Sequence, residues 1–204
     1  MAKILAFVGS PRREGNSETL VAEFLKGSEN AGAKTELIRL NALDIRLCQA
    51  CDACAGSGFC VMRDDLRPIY AEIAAAAGLL IMTPIYFGSL SAQTKVFIDR
   101  FQCWWHAKYT FKRPFVNKEE KRPAFFMTVG AWKNKSYGQN AADIAKVYFT
   151  SINYRLTGEL HYTGFDYPGS VAEAPAVLEE VYKAGKDFAR EALKTYGAVH
   201  RGEE

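Results

Sequence analysis

Apolar and polar positions along the chain predict an alternation of buried strands and amphipathic helices. Three continuous apolar runs end in turn or polar residues and predict central strands. A fourth segment alternates like a half-covered strand, and a fifth strand is expected near the C-terminal third. The predicted strands are residues 3–9 (KILAFVG), 35–40 (TELIRL), 79–83 (LLIMT), 124–129 (AFFMTV) and part of 154–165.

Helical spacing of apolar residues predicts one helix after each strand. Asn16 or Ser17 is expected to cap the first helix, which ends near residue 31. Asp64 and Asp65 are expected to open the second. The later helices are predicted at 64–77, 91–104, 140–150 and 171–196. This order predicts an α/β fold, a three-layer doubly wound sheet of five parallel strands.

The chain has 204 residues and is predicted to form a single domain, 1–204. Two segments interrupt the alternation: a cysteine-rich loop, 48–60, and a basic, aromatic-rich insertion, 104–122. The insertion exceeds the usual connection length, which indicates a role of its own. We expect a subunit contact or the rim of a pocket there, rather than a surface for single-stranded nucleic acid.

Charge and hydropathy exclude several classes of partner. The 26 basic and 23 acidic residues leave a net charge of +3, too small to indicate a nucleic-acid or membrane partner. The N-terminal residues lack the pattern of a secretory signal, and the longest apolar run, 73–82, is too short to span a bilayer. We therefore expect a cytoplasmic protein, whose clustered cysteines act as ligands or redox groups rather than disulfides.

The turn after the first strand, GSPRREGNS, has the groups that suit a terminal monophosphate. Ser10 and Ser17 offer hydroxyls, Asn16 an amide and Arg12 a positive charge, at the start of a helix with free N–H groups. Gly15 permits the backbone to close tightly. The turn lacks the glycine patterns of dinucleotide and triphosphate sites. An ordinary strand-to-helix turn is the alternative.

A second loop, TPIYFGSLSA, follows the strand 79–83, which we expect beside the first strand. Pro84 fixes the exit of the chain, Gly88 permits close approach to a flat ligand, and Tyr86 and Phe87 offer aromatic rings. In open α/β sheets the ligand lies outside the carboxyl ends of the strands, where strand order reverses. The two loops together predict a mononucleotide such as FMN.

GSPRREGNS together with TPIYFGSLSAQTKVFIDR resembles the NAD(P)H-dependent FMN reductase family, which has a flavodoxin-like fold. The resemblance covers roughly the first 100 residues; the rest agrees only in strand–helix order. Lys95, Asp99 and Arg100 also belong to it, although their helical spacing equally predicts a surface ion pair and caps. The resemblance implies that the FMN phosphate is held by Ser10, Arg12, Asn16 and Ser17, and that the ribityl chain and ring are lined by Pro84, Ile85, Tyr86, Phe87, Gly88 and Ser89, with Gly130 and Trp132 as further contacts.

The four cysteines of the loop have the spacing C-x2-C-x2-C-x5-C, at Cys48, Cys51, Cys54 and Cys60. A short turning loop with this spacing can direct four thiolates at one [4Fe–4S] cluster. Unmetallated thiols, a zinc site and a disulfide are the alternatives. Within the flavin family the spacing is similar to that of the iron–sulfur flavoproteins, which carry FMN and one such cluster. Cys103 is expected to be a buried apolar residue.

Three functions fit these features. The first is an iron–sulfur flavoprotein, an electron-transfer oxidoreductase supplied by ferredoxin or NAD(P)H and assembled as a homodimer or homotetramer. The second is a metal-free NAD(P)H-dependent reductase of FMN, quinones or nitro compounds, and the third is a non-enzymatic redox carrier. No catalytic side chain is predicted, because His106, His161 and His200 are scattered without a convincing partner. The reactive centre would be the flavin N5.

Overall fold

The computed structural model describes residues 2–134 and 136–200. The predicted domain 1–204 therefore includes residues 1, 135 and 201–204, which lie outside the described residues. The strands are β1 (Lys3–Val8), β2 (Lys34–Arg39), β3 (Gly78–Tyr86), β4 (Ser89–Leu90), β5 (Pro123–Gly130) and β6 (Arg155–Thr163). The helices are α1 (Asn16–Asn30), α2 (Leu66–Ala75), α3 (Ala92–Asp99), α4 (Gln102–Tyr109), α5 (Ser136–Ser151) and α6 (Pro175–His200).

Five long strands form one parallel sheet in the order β2-β1-β3-β5-β6. This order confirms the predicted doubly wound α/β fold. The sequence did not predict β4, which pairs antiparallel with the end of β3 and forms a short hairpin. Among the described residues, no helix has the length and apolar character needed to cross a membrane.

The core has two halves because successive residues of each strand point to opposite faces of the sheet. Leu5 and Phe7 of β1 pack with buried residues of α2, α3, α4 and α5. Ile4, Ala6 and Val8 pack on the other face with α1 and α6. Both faces of the sheet are therefore covered, which gives the three predicted layers.

The point where strand order reverses lies between β1 and β3. After β1 the chain moves to one side to form β2, then crosses back to form β3 on the other side of β1. The turns that follow β1 and β3 therefore leave neighbouring strands at the same edge. In doubly wound sheets this edge is where a ligand crevice opens.

Pro84, which was expected to close its strand, instead lies inside β3. β1 ends at Val8, which stands opposite Met82, so the last part of β3 has no β1 partner. Pro84 pairs only with Val129 of β5. Because proline lacks an N–H, it is tolerated where one side of a strand is unpaired.

The prediction that Asn16 or Ser17 caps α1 was wrong. Gly15 is the N-cap residue, and no side chain there caps the helix. Ser17 lies inside the helix, and the amide of Asn16 is used elsewhere. Asn16 Nδ2 donates to the Tyr167 carbonyl at 2.9 Å, and Asn16 Oδ1 accepts from the Val171 N–H at 3.1 Å. Asn16 thus ties the start of α1 to the loop after β6.

Two helix boundaries also differ from expectation. The helix predicted over 91–104 is two helices, α3 and α4, separated at Arg100 and Phe101. The terminal helix begins at Pro175, after a short 3₁₀ turn at Ser170–Glu173. Proline suits a first helical position because the N–H it lacks would have no partner there.

The insertion 104–122 is not irregular throughout, because its first residues belong to α4. Trp104 is buried and packs against Phe101 and Phe115, with ring centroids 5.3 and 4.8 Å apart. Cys103 is also buried, as predicted. Lys112, Arg113, Lys118 and Lys121 are exposed at the surface, whereas Arg122, at the end of the insertion, is buried and donates to the Ala76 carbonyl at 2.9 Å.

Candidate functional site

Two recesses open side by side at the carboxyl edge of the sheet. The narrow recess has a volume of about 200 Å³ and the wide recess about 480 Å³. Ile85, Gly130 and Ala131 line both, so the two are parts of one crevice. The crevice lies where the fold predicts a ligand, between the turns after β1, β3 and β5.

The narrow recess contains the side chains that the sequence predicts for a phosphate. Ser10, Arg12, Asn16 and Ser17 all line it, together with Pro84. Ser10 and Ser17 are buried, whereas Arg12 is exposed at the mouth. Hydroxyls inside and an exposed positive charge at the mouth suit an anion that enters from solvent.

The turn that forms this recess is held by Glu18, on the first turn of α1. The Glu18 carboxylate accepts from the Glu14 N–H at 2.9 Å and from Arg39 Nε at 2.6 Å. Glu14 has a φ of 54°, a left-handed conformation that needs such support. Burial by itself raises the pKa of Glu18, but these hydrogen bonds hold it below its ordinary value overall.

The wide recess has aromatic walls. Phe87 is fully exposed with a φ of 49°, and Gly88, with a φ of 75°, follows it in the hairpin. The Tyr137 ring lies against Gly88 and stacks on the exposed Trp132, with ring centroids 5.8 Å apart and ring planes at 29°. Aromatic rings around a cavity suit a flat aromatic ligand.

One wall of the wide recess is polar, and sequence reasoning missed it. His161 Nδ1 lies 2.9 Å from Thr128 Oγ1, and both residues line the recess. His161 Nε2 is buried without a hydrogen-bond partner and stands 3.7 Å from the Glu159 carboxylate. Gly138 permits this packing, because a Cβ there would meet the His161 ring at 2.9 Å. The prediction that His161 has no convincing partner was therefore wrong.

All predicted flavin-site residues but one line the crevice. The exception is Ser89, which pairs with Tyr86 in the hairpin and lines neither recess. The crevice also includes residues that no sequence motif indicated, because they come from β5, α5, β6 and the adjoining loops, far along the chain from the two motifs. Among them are Thr128, Asn134, Tyr137, His161, Phe165, Asp166 and Pro168.

The four cysteines of the loop lie around a separate small recess of about 40 Å³. Cys48, Cys51, Cys54 and Cys60 all line it. Burial raises the pKa of the Cys54 thiol, and the other three cysteines lie close enough to raise it further. The loop has thus brought four thiols together, two of them exposed to solvent.

Within the described residues, no group of three or more His, Cys, Asp or Glu side chains is arranged to hold a metal ion. A single zinc ion needs thiolates about 2.3 Å from one point. A [4Fe–4S] cluster instead takes one thiolate at each of four irons, so its ligands surround a larger body. By donor type and by their common recess, the four cysteines fit such a cluster.

Arg100 also lines the cysteine recess, although the sequence placed it at the surface. It is buried, and its guanidinium donates to both carboxylate oxygens of Asp64. It also donates to the Arg46 carbonyl at 2.8 Å and contacts Cys60 Sγ at 3.5 Å. The other predicted ion pair, between Lys95 and Asp99, is confirmed at 2.6 Å on the exposed side of α3.

The pKa values of this pair favour its charged form. Burial alone raises the pKa of Asp64, but the hydrogen bonds from Arg100 and from backbone N–H groups lower it overall. Burial alone lowers the pKa of Arg100, but Asp64 and Cys60 raise it overall. The cysteine recess therefore has a fixed positive charge at its wall.

Residues 2–150 match the sequence profile of a family described as NADPH-dependent FMN reductase. The chain belongs to the NADPH-dependent FMN reductase family. This membership confirms the resemblance found in GSPRREGNS and TPIYFGSLSAQTKVFIDR. Both motifs lie within the matched residues, and residues of each line the crevice: Ser10, Arg12, Gly15, Asn16 and Ser17 of the first, and residues 84–88 of the second.

Two iron–sulfur flavoproteins are similar to this chain over part of their length. An iron–sulfur flavoprotein of Methanosarcina thermophila is 35% identical over 98 residues, 48% of this chain and 51% of the relative. An iron–sulfur flavoprotein of Methanocaldococcus jannaschii is 38% identical over the same shares. The chain thus spans about half the length of the curated relatives it matches.

Solved structures confirm the flavodoxin-like reductase fold. A flavone reductase has a TM-score of 0.71 at 19% identity, covering 93% of this chain and 62% of its own. An NAD(P)H:quinone oxidoreductase from Methanothermobacter marburgensis has a TM-score of 0.65 at 17% identity, covering 91% and 96%. At these identities the likeness concerns the fold alone.

Proposed function

We propose that this protein is an FMN-dependent electron-transfer oxidoreductase of the iron–sulfur flavoprotein type. FMN binds in the crevice, and a [4Fe–4S] cluster binds at Cys48, Cys51, Cys54 and Cys60. The observation that carries the proposal is the crevice itself: a narrow recess with phosphate-binding groups continues into a wide aromatic recess. The family match and the names of the relatives support the same reading.

In this proposal the chain positions FMN from the phosphate outward. Ser10, Ser17 and the N–H groups at the start of α1 hold the phosphate, and Arg12 closes over it. Pro84, Ile85 and Tyr86 line the path between the recesses. The ring lies in the wide recess, among the side chains of Phe87, Trp132 and Tyr137 and the backbone of Gly88 and Gly130.

When bound, FMN accepts a hydride at N5 and releases electrons singly, while a four-iron cluster exchanges one electron at a time. The chain holds the two groups in separate recesses. We propose NAD(P)H or ferredoxin as electron donor and a homodimer or homotetramer as the assembly. A cytoplasmic location remains a prediction.

The test is purification under anaerobic conditions, followed by flavin extraction and assays of iron and sulfide. We expect one FMN per chain, with about four irons and four sulfides. Protein that binds no FMN after incubation with it would exclude the whole proposal. Protein that binds FMN but no iron, even after anaerobic reconstitution with iron and sulfide, would exclude the cluster alone.

A second candidate is the metal-free NAD(P)H-dependent reductase of FMN, quinones or nitro compounds. The specific observation that favours it is the family match over residues 2–150, whose description names an NADPH-dependent FMN reductase. This candidate predicts yellow, iron-free protein that oxidises NADPH rapidly with a quinone or nitro acceptor. An anaerobic stopped-flow assay that follows NADPH absorbance at about 340 nm separates the two candidates. For the first candidate we expect bleaching of the cluster absorbance as well.

A further inference from the structure

We propose that Arg100 sets the electron affinity of the cluster at the cysteine loop, by placing a buried positive charge and an N–H donor against Cys60. Arg100 is a positioning residue in this role, since it acts through a ligand. The inference rests on the proposed function, because it assumes the cluster. It assigns a task to a residue that the flavin crevice does not use.

The contacts place the charge at the recess with little freedom to move. Only 2% of Arg100 is exposed, and its side chain crosses from the α3–α4 junction to the cysteine loop. Its Nη1 and Nη2 are held by Asp64 and the Arg46 carbonyl, and Nη2 also contacts Cys60 Sγ. Its own carbonyl accepts from the Tyr70 hydroxyl at 2.8 Å.

One donor of Arg100 has no use in the folded chain. Nε is buried and has no hydrogen-bond partner. A buried N–H without a partner costs about 1–3 kcal/mol, and more when the group is charged. Asp64 and the Arg46 carbonyl are enough to pin the loop, and an acceptor bound in the cysteine recess, which Arg100 lines, would offer the guanidinium a further partner.

Charge explains the direction of the effect. Reduction adds one electron and no proton to a cluster already carrying four thiolates, so the negative charge at the recess increases. A buried cation stabilises the more negative form, strongly because the local dielectric is low. Hydrogen bonds to cluster sulfurs act in the same direction. Asp64 opposes the effect, since its carboxylate partly neutralises Arg100.

The experiment is a redox titration with dithionite and mediators on anaerobically reconstituted protein, followed by electron paramagnetic resonance. Arg100→Gln is compared with the wild type, with Arg100→Lys and with Lys95→Gln, which removes an exposed cation from the same helix. We expect Arg100→Gln to weaken reduction of the cluster at least tenfold, a shift of about 59 mV to lower potential. Arg100→Lys should recover part of the shift, and Lys95→Gln should match the wild type.

Asp64→Asn supplies a test of opposite sign that keeps Arg100 in place. Removing the carboxylate leaves the guanidinium charge uncompensated, so we expect a higher potential than in the wild type. The Asp64→Asn variant also tests the role of Arg100 if Arg100→Gln fails to fold. A wild-type potential in Arg100→Gln, or a potential in Asp64→Asn at or below the wild-type value, would overturn the role of Arg100.

The outcomes separate this inference from the proposed function. Iron content is measured on every sample before titration. A wild type that holds no iron after reconstitution removes the cluster and this inference with it, whereas a wild type with about four irons and an unchanged potential in the variants removes only the inference. The flavin potential, read from absorbance in the same titration, should stay constant across the series.

Discussion

Arg12 and Arg13 are adjacent exposed arginines with different surroundings. Arg12 lines the narrow recess beside Ser10 and Asn16, whereas Arg13 does not line it. Neither forms an ion pair with an acidic side chain among the described residues. Arg12 is therefore free to close on an anion in the recess.

Replacing Arg12 with alanine should weaken FMN binding about tenfold or more. A hydrogen bond to a charged group contributes about 1.5–3 kcal/mol, and each 1.4 kcal/mol is tenfold in affinity. Quenching of FMN fluorescence measures the dissociation constant. Arg13→Ala is the matched control and should bind nearly as the wild type does; equal affinities in all three proteins would refute the phosphate role of Arg12.

At this scale the sequence predicts residues whose partners are local. Ser10, Arg12 and Ser17 follow from one continuous motif, and all of them line the recess. His161 and Arg100 were misjudged because their partners are distant along the chain. Thr128 is 33 residues from His161, and Asp64 is 36 residues from Arg100, so only the fold brings each pair together.

Among the elements, the turn between β1 and α1 depends on one carboxylate. Glu18 holds the strained Glu14 backbone and pairs with Arg39 of β2. Its pKa is lowered from an ordinary value of 4.5. A carboxyl with a lowered folded pKa stabilises the fold above its unfolded pKa, and this contribution is lost as pH falls through the folded value.

Glu18→Gln should therefore lower the free energy of unfolding at neutral pH, by up to about 1 kcal/mol because Arg39 is half exposed. The difference from the wild type should shrink as pH falls below about 4. Urea unfolding at about pH 7 and at about pH 3.5 measures this difference in the free energy of unfolding. Glu23→Gln, on the same helix, is the control; a difference that stays constant over this range would contradict the assignment.

The cysteine loop is an element without regular structure apart from one short 3₁₀ turn, Ala53–Gly56. Asp52, at the start of that turn, has a φ of 55°, and Ala50 has a φ of 49°. These left-handed residues reverse the chain between cysteines, which is how a short segment directs several thiols into one recess. The spacing predicted that the four cysteines share one site; they line one recess, and their role as ligands stays a prediction.

Cys54→Ser should abolish iron binding and leave FMN binding intact, because the cysteine recess and the crevice share no lining residue. Iron and sulfide assays after anaerobic reconstitution, with flavin content from the same sample, measure both. Cys103→Ala is the matched control: it removes a buried thiol from the same recess that lies outside the predicted ligand set. Unaltered iron in Cys54→Ser would remove Cys54 from the ligands.

Over the whole molecule, the order of strands and the covering of both faces could be predicted, because continuous apolar strands that alternate with helices permit few arrangements. The two recesses could not be predicted, because the shape of a cavity depends on how side chains from distant parts of the chain pack around it. The helix break at Arg100 and Phe101 could not be predicted from the periodicity of apolar residues either, because the apolar spacing continues across it.

The face of the sheet beneath the narrow recess depends on a close crossing of α1 and α6. Gly27 of α1 faces Tyr182 of α6, and Gly185 of α6 faces Phe24 of α1. The Ser28 hydroxyl also donates to the Gly185 carbonyl at 3.0 Å. Because α1 begins at the turn that lines the narrow recess, we expect the position of this crossing to set the position of the recess.

Gly185→Ala should destabilise the whole protein and also weaken FMN binding. A Cβ at this position would lie 2.0 Å from the Phe24 carbonyl oxygen, and backbone cannot turn away as a side chain can. Overpacking of this kind costs about 1–3 kcal/mol, which urea unfolding measures. Gly56→Ala is the control, since its Cβ would meet no atom within 4 Å.

If Gly185→Ala unfolds at the same urea concentration as the wild type, the two helices can separate without cost and the crossing does not fix the recess. If it is less stable but binds FMN with unchanged affinity, the crossing supports the fold without positioning the phosphate-binding turn.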